Sequence, residues 1–505
     1  MQYEFNNPII PGYNPDPSIC RVGDDFYLVN STFEFFPGVP VYHSRNLVNW
    51  ELINYCLKTK EHLFLEGCRN SGGIYAPTIR YHDGYFFMIT TNVTNKGNFV
   101  VHTKDIYGDF SLPSWIDQGG IDPSLFWDDD DTCYYSSTGT LNGVRGIVAF
   151  KINPFTGEIL SEKHLISEGC GGQCAEGPHI YKKNGYYYLL LAEGGTEYGH
   201  RVTIQRSKNI FGPYEPCPHN PVLSHKDYKY CEIQATGHGD LVEDTNGNFW
   251  MVCLGIRNYS KALLHNLGRE TFLCPVVWEN EWPVVGNNGT IEPLMSAPLP
   301  QKPESVNHSV TVDFSDKTLC KQLFYTRNPE MKNYIHNSDE KTLALIGTDI
   351  TINEPGASPT IMSLKQQSFT TTFTAKLDSC RTNAKRAGIA AYYNNDYHYD
   401  IYICSEENKK YIGFYKHLHD MGVELSKIPL KKDSDVTLKI ETDKEKYSFY
   451  YKEDSDSEYT FVGSGSNAGL STEGTMTMTF TGTLFSIFTE DGTAVFKDKL
   501  ELKSL

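Results

Sequence analysis

A chain of 505 residues is too long for one hydrophobic core and points to two or three domains. Its formal net charge of −17 disfavours a nucleic-acid backbone or an anionic membrane as partner and suits a neutral ligand. Aromatic residues make up 13%, with 33 Tyr and 27 Phe, and no long helical period accompanies them, so an all-β chain is expected.

The N-terminal segment, MQYEFNNPIIPGYNPDPS, shows neither the basic nor the apolar region of a secretory signal. No stretch reaches the roughly 20 apolar residues that span a bilayer. Thirteen scattered cysteines, an odd number, read as reduced thiols, and a cytoplasmic location is expected.

Along the chain, five segments join a turn of Gly, Asn or Asp to an aromatic strand: 21–30 (RVGDDFYLVN), 81–91 (YHDGYFFMITT), 128–138 (DDDDTCYYSST), 182–192 (KKNGYYYLLLA) and 244–255 (DTNGNFWMVCLG). They lie about 45 to 60 residues apart, the period of four-stranded propeller blades. Polar corners such as 43–51 (HSRNLVNWE) and 207–215 (SKNIFGPYE) follow the strands, as a meander requires. These patterns predict a five-bladed β-propeller over residues 1–295. A Pro-bearing linker is expected at 296–306. Residues 307–505 alternate β-branched and aromatic positions at 368–377, 387–393, 397–404, 436–441, 447–451 and 475–489, which predicts a lectin-like β-sandwich.

Counting back about 11 or 12 residues from Tyr27, Phe87, Tyr134, Tyr187 and Trp250 lands on Asp16, Ala76, Asp122, Glu176 and His238. If the units are blades, these positions face one axis and three carboxyl groups converge there. A lone Asp-Pro is commonly a turn, but three acids at repeated positions point to chemistry. Glycoside hydrolysis uses one carboxyl as acid and another as base or nucleophile. A third, ionised neighbour raises the pKa of the acid. Separation across an axis suits the wide spacing of an inverting enzyme.

The motifs at these residues resemble glycoside hydrolase family 43, the five-bladed β-xylosidases and α-L-arabinofuranosidases. They are Asn14-Pro15-Asp16-Pro17-Ser18, Gly73-Ile74-Tyr75-Ala76-Pro77, Gly120-Ile121-Asp122-Pro123-Ser124, Ala175-Glu176-Gly177-Pro178-His179, Ala192-Glu193-Gly194-Gly195-Thr196, Thr236-Gly237-His238 and Leu267-Gly268-Arg269-Glu270-Thr271. The resemblance implies that Asp16 is the general base, Glu176 the general acid and Asp122 the group that orients the acid and modulates its pKa. It also implies sugar contacts for Arg269 and Phe33. Tyr75 stands where several of the family's β-xylosidases carry Trp, which bears on sugar preference. For His238 two readings stand: a hydrogen bond to water or backbone on the axis, or contact with sugar or with a Ca²⁺ ion that some members hold near the axis. In the resembling family the sandwich packs on the propeller and a loop closes part of the active site; Thr479-Phe480-Thr481-Gly482-Thr483 is similar to that loop in outline.

No cofactor is required on this reading, and no residue is assigned as a metal ligand. Asp128–Asp131 reads as a solvated turn, and Cys170 and Cys174 as free thiols, because no matching His or Cys accompanies them. The expected activity is removal of a terminal β-D-xylose from short oligosaccharides. An α-L-arabinofuranosidase or dual activity, and a catalytically silent sugar-binding propeller, are the alternatives. Self-association is left open.

Overall fold

The computed structural model describes residues 2–504, except 260–262, 408, 432–433 and 478. Five antiparallel sheets of four sequential strands follow one another, the fourth with an extra edge strand, Leu223–Ser224. Their first strands are Ser18–Val22, Thr78–His82, Ser124–Trp127, Glu176–Lys183 and Ile233–Glu243. Each first strand touches the next, and the first touches the last, so the sheets close into a ring about an axis. The strand Tyr3–Asn6 pairs with Leu294–Ala297 across the ends of the ring. That pairing runs two residues into the expected linker.

The turn chemistry explains the hairpins. Asp83-Gly84 and Asn184-Gly185 both hold positive φ at two successive residues, the turn whose twist matches paired strands. The strand interiors pack between neighbouring blades, as where Tyr188, Leu190 and Ile204 share a cluster with Trp250, Val252 and Leu273.

Near the axis each first strand contributes a polar residue at one level: Ser18, Thr78, Ser124, His179 and Asp240. Arg80 binds Asp240 through two hydrogen bonds of 2.7 and 3.0 Å and reaches His179 at 2.9 Å. Ser18 donates to Asp240 at 2.7 Å, and Ser124 lies 3.0 Å from His179. Burial pushes the His179 imidazole down to about 3, so the ring is neutral and accepts these bonds. Apart from His179 Nε2, which has no hydrogen-bond partner, these inward polar groups are tied together, which makes a rigid floor beneath the next level up.

The second domain is a sandwich of an eight-stranded and a six-stranded sheet. Phe373, Ile389, Ile401, Phe414, Phe449 and Phe485 interdigitate in its core. One strand expectation needs correcting. Of residues 475–489 only Leu484–Glu490 is a strand. In the preceding segment the amides of Met476, Phe480 and Thr483 donate to Tyr397 Oη, Ser71 Oγ and the Asn266 carbonyl, not to a neighbouring ladder. Alternation at 479–481 therefore reflects two walls facing different cavities, not a sheet.

The domains share structure at their seam. Tyr325–Thr326 of the second pairs with Phe35–Phe36 of the first. Arg327, 1% exposed, donates to the carbonyls of Cys68 and Ala357 at 2.6 and 2.8 Å. Tyr13, Phe33, Phe35, Phe324, Tyr392 and Phe488 form one apolar cluster across the junction.

Candidate active site

Asp16, Asp122 and His238 each precede by two residues the axial residue of their strand, and each has a left-handed backbone, with φ of 52, 58 and 49°. The fourth blade places Gly177, φ 55°, at that position. Glu176 therefore lies one residue before the repeated position, which corrects the expectation that it is equivalent to Asp16 and Asp122. The register shows why: Tyr188, not Tyr187, pairs with the residue two beyond the axial His179, and a bulge between Glu176 and His179 takes up the offset. A Cβ on Gly177 would lie 2.9 Å from the His238 ring, so space, and not φ, which Asp16, Asp122 and His238 share, favours glycine there. The fourth blade's carboxyl thus comes from one residue earlier, on a side chain one methylene longer, and still reaches the pocket.

That pocket, of about 190 Å³, is lined by Asp16, Phe33, Tyr75, Ala76, Asp122, Glu176, His238 and Arg269, so all seven residues singled out in the sequence meet there. Asp16 is 5% exposed and accepts from Ser31 Oγ at 2.5 Å and from the Arg269 guanidinium at 2.9 and 3.4 Å. Burial alone would raise its pKa, but Arg269, then His238 and the Ser31 hydrogen bond, outweigh burial and hold the carboxyl below its usual range. His238 Nδ1 stands 4.0 Å from Asp16 Oδ1, and burial pushes its imidazole down.

Asp122 and Glu176 shift the other way. Burial, then the charges of Glu176 and Asp16, drive Asp122 well above the carboxylate range. Burial and then Asp16 bring Glu176 up to about 7, with Arg269 and Arg145 opposing. One pocket therefore holds an ionised acid beside two that resist ionisation.

Aromatic residues wall the pocket. Phe33 and Tyr75 meet edge to face at 5.3 Å, and Phe480 approaches Phe33 at 5.5 Å and Tyr75 at 5.9 Å. The Arg269 guanidinium lies 5.6 Å from the Phe33 ring and 5.3 Å from the Phe480 ring. Arg269 also donates to Thr196 Oγ1 at 2.7 Å. Phe480 and Thr196 were not on the sequence-derived list of site residues. Thr196 ends the Ala192–Thr196 motif; Phe480 comes from the sandwich, and only its likeness to a closing loop hinted at the contact.

The donor set around His238 does not suit Ca²⁺, which prefers several oxygens. Asp16 is already engaged by Arg269 and Ser31. Among the described residues no group of three His, Cys, Asp or Glu is arranged to hold a metal. Asp128 and Asp129 pair with Lys182, and no disulfide joins the cysteines among the described residues.

Residues 5–283 match the profile of glycosyl hydrolases family 43, and residues 311–497 that of the β-xylosidase C-terminal concanavalin A-like domain. The chain belongs to glycosyl hydrolase family 43. It is 40% identical, over 88% of this chain and 84% of the relative, to a non-reducing end α-L-arabinofuranosidase of Bacteroides ovatus. It is 38% identical to a xylosidase/arabinosidase of Butyrivibrio fibrisolvens, over 80% of each chain. The structure of a xylan β-1,4-xylosidase from Bacillus halodurans superposes with a TM-score of 0.92, at 32% identity, over 99% of this chain and 100% of that one. The family 43 protein described here is thus a glycoside hydrolase, a propeller enzyme whose pocket is completed by its sandwich.

Proposed function

We propose that the protein is an inverting exo-glycosidase that releases terminal β-D-xylose from short xylo-oligosaccharides. The observation that carries this reading is the opposed shift of the acids: Asp16 is held ionised while Glu176 and Asp122 are pushed up. Asp16 then takes a proton from a water attacking the anomeric carbon, and Glu176 gives one to the departing oxygen. Asp122 orients Glu176, while the ionised Asp16 resists ionisation of Glu176 through like charge. A silent sugar-binding protein has no use for a carboxyl with a pKa near neutrality.

Arg269 grips adjacent sugar hydroxyls while pinning Asp16, and Phe33, Tyr75 and Phe480 pack on the ring. His238 lines the floor beside Asp16. A pocket of about 190 Å³ closed by two domains suits one terminal sugar and excludes chain interiors. The 40% identity to a non-reducing end α-L-arabinofuranosidase favours α-L-arabinofuranosides as a second substrate. Side-by-side release of p-nitrophenol from the two glycosides decides between them. A cytoplasmic setting belongs to this reading, since cysteines without disulfides among the described residues suit a reducing compartment.

Stereochemistry tests the mechanism. NMR of the first product from a β-D-xyloside is expected to show α-D-xylose. A retained anomer would make a carboxylate the nucleophile and overturn the assignment.

The pH dependence follows from the signs. Glu176 must be protonated, so kcat/KM is expected to fall as pH rises through about 7. Asp16 must be ionised, and its lowered pKa keeps the acidic limb below the ordinary Asp range. A rate that climbs above pH 7 would exclude Glu176 as the acid.

A further inference from the structure

A second cavity, of about 470 Å³, lies at the domain seam on the far side of Arg269 and Thr196, which line it together with the catalytic pocket. Its size falls within the ~300–1,000 Å³ of small-molecule sites. The wall supplied by the sandwich includes Thr475, Met476, Thr477, Thr479 and Thr481. Successive side chains of an extended chain point to opposite sides. Phe480 accordingly enters the catalytic pocket while Thr479 and Thr481 face the seam cavity.

We propose that this seam cavity is a second binding site for a neutral, pentose-sized sugar, whose occupancy is felt in the catalytic pocket through Arg269 and the Thr479–Thr481 partition. The inference rests on the proposed action on pentosides. Thr481 Oγ1, buried and without a hydrogen-bond partner in the protein, stands in this lining beside threonine and methionine methyl groups, a combination that matches the O–H and C–H groups of a sugar ring. The wall is held in place: Thr479 Oγ1 lies 2.7 Å from Tyr393 Oη, and Thr475 donates to the Thr472 carbonyl at 2.9 Å. At the seam the Glu473 carboxylate accepts from the His265 amide at 3.0 Å and from Tyr198 Oη at 2.9 Å. The charges of the lining are largely answered, Arg269 by Asp16 and Glu473 by His265, and Glu197 disfavours an anion. What remains to greet a ligand is hydroxyl, methyl and ring surface. Two sources present that chemistry, the free product and a second sugar unit of a branched substrate.

Calorimetric titration of the intact protein with D-xylose and with L-arabinose tests the site. Two sugars per chain are expected with at least one of them, or, if the source is a branch, a KM for a branched oligosaccharide that rises in Thr477→Trp while a linear one keeps its KM. Thr477→Trp fills the cavity and is expected to leave one bound sugar, and retention of that sugar shows that the variant is folded. Thr481→Val deletes one hydroxyl at constant shape and is expected to weaken the second site about 2- to 10-fold. One free-sugar site together with unchanged kinetics on branched substrates overturns the inference. So does a second site that survives Thr477→Trp, which would then lie on the leaving-group side of Glu176. Sugar release is measured in parallel: its absence would overturn the proposed function, whereas hydrolysis with one free-sugar site and unchanged kinetics on branched substrates overturns this inference alone.

Discussion

Replacement of Glu176 by Ala is expected to slow hydrolysis of substrates with sugar leaving groups by about 10²–10⁴-fold, while aryl glycosides with acidic phenols lose far less. The asymmetry follows from what the proton does. A sugar alkoxide is a poor leaving group and needs a donor at the moment of bond cleavage, whereas an acidic phenol departs as its anion. Asp16→Ala removes activation of the attacking water and is expected to slow both substrate types alike. The measurement is kcat/KM for each variant across phenols of graded acidity. Equal dependence on leaving-group acidity in the two variants would sink the assignment of acid and base.

The second large effect is expected at Arg269. Its guanidinium holds Asp16 at 2.9 and 3.4 Å and Thr196 at 2.7 Å, and lies beside both the Phe33 and Phe480 rings, 5.6 and 5.3 Å from them. Lysine keeps the charge but has neither the planar fork nor the fixed spacing of donors. Arg269→Lys is therefore expected to lower kcat/KM by about 2–4 kcal/mol if two charge-assisted bonds are lost in the transition state, some 30- to 900-fold. A thermal melt measured alongside separates chemistry from folding. Near-normal kcat/KM would remove Arg269 from the site, and a matching collapse of the melting temperature would mark it as a seam residue only.

Much of this architecture was legible in the sequence because it is written in local periods. The Asp-Gly and Asn-Gly turns and the aromatic strands give the blades, and alternation gives strands such as Thr371–Leu377 and Tyr397–Glu406. The offset at Glu176 was not resolved by counting, because Tyr186-Tyr187-Tyr188 offers three adjacent aromatics from which to count. The prolines carried the better register: Asp16, Ala76, Asp122 and Gly177 each stand directly before one. Phe480 was harder for a different reason. Its amide donates to Ser71, 409 positions away, and no local pattern encodes a contact at that separation. The Thr475–Thr483 run misled for a related reason, since alternation records two different environments and does not say that both belong to a sheet.

The left-handed position repeated at the mouth of the ring has a consequence for how such an enzyme can arise. A ring of five identical units would set the same side chain at every one of these places. Five carboxylates would then crowd one small volume, and their mutual repulsion would favour either protonation or collapse of the ring. A reaction that needs one charged and one neutral carboxyl is unavailable to a symmetric assembly. Joining the units in a single chain frees each place to diverge: Asp16, Ala76, Asp122, Gly177 and His238 are five answers at one repeated place, left-handed in all but Ala76. The frame supplies position five times over, and catalysis depends on those copies having ceased to be alike.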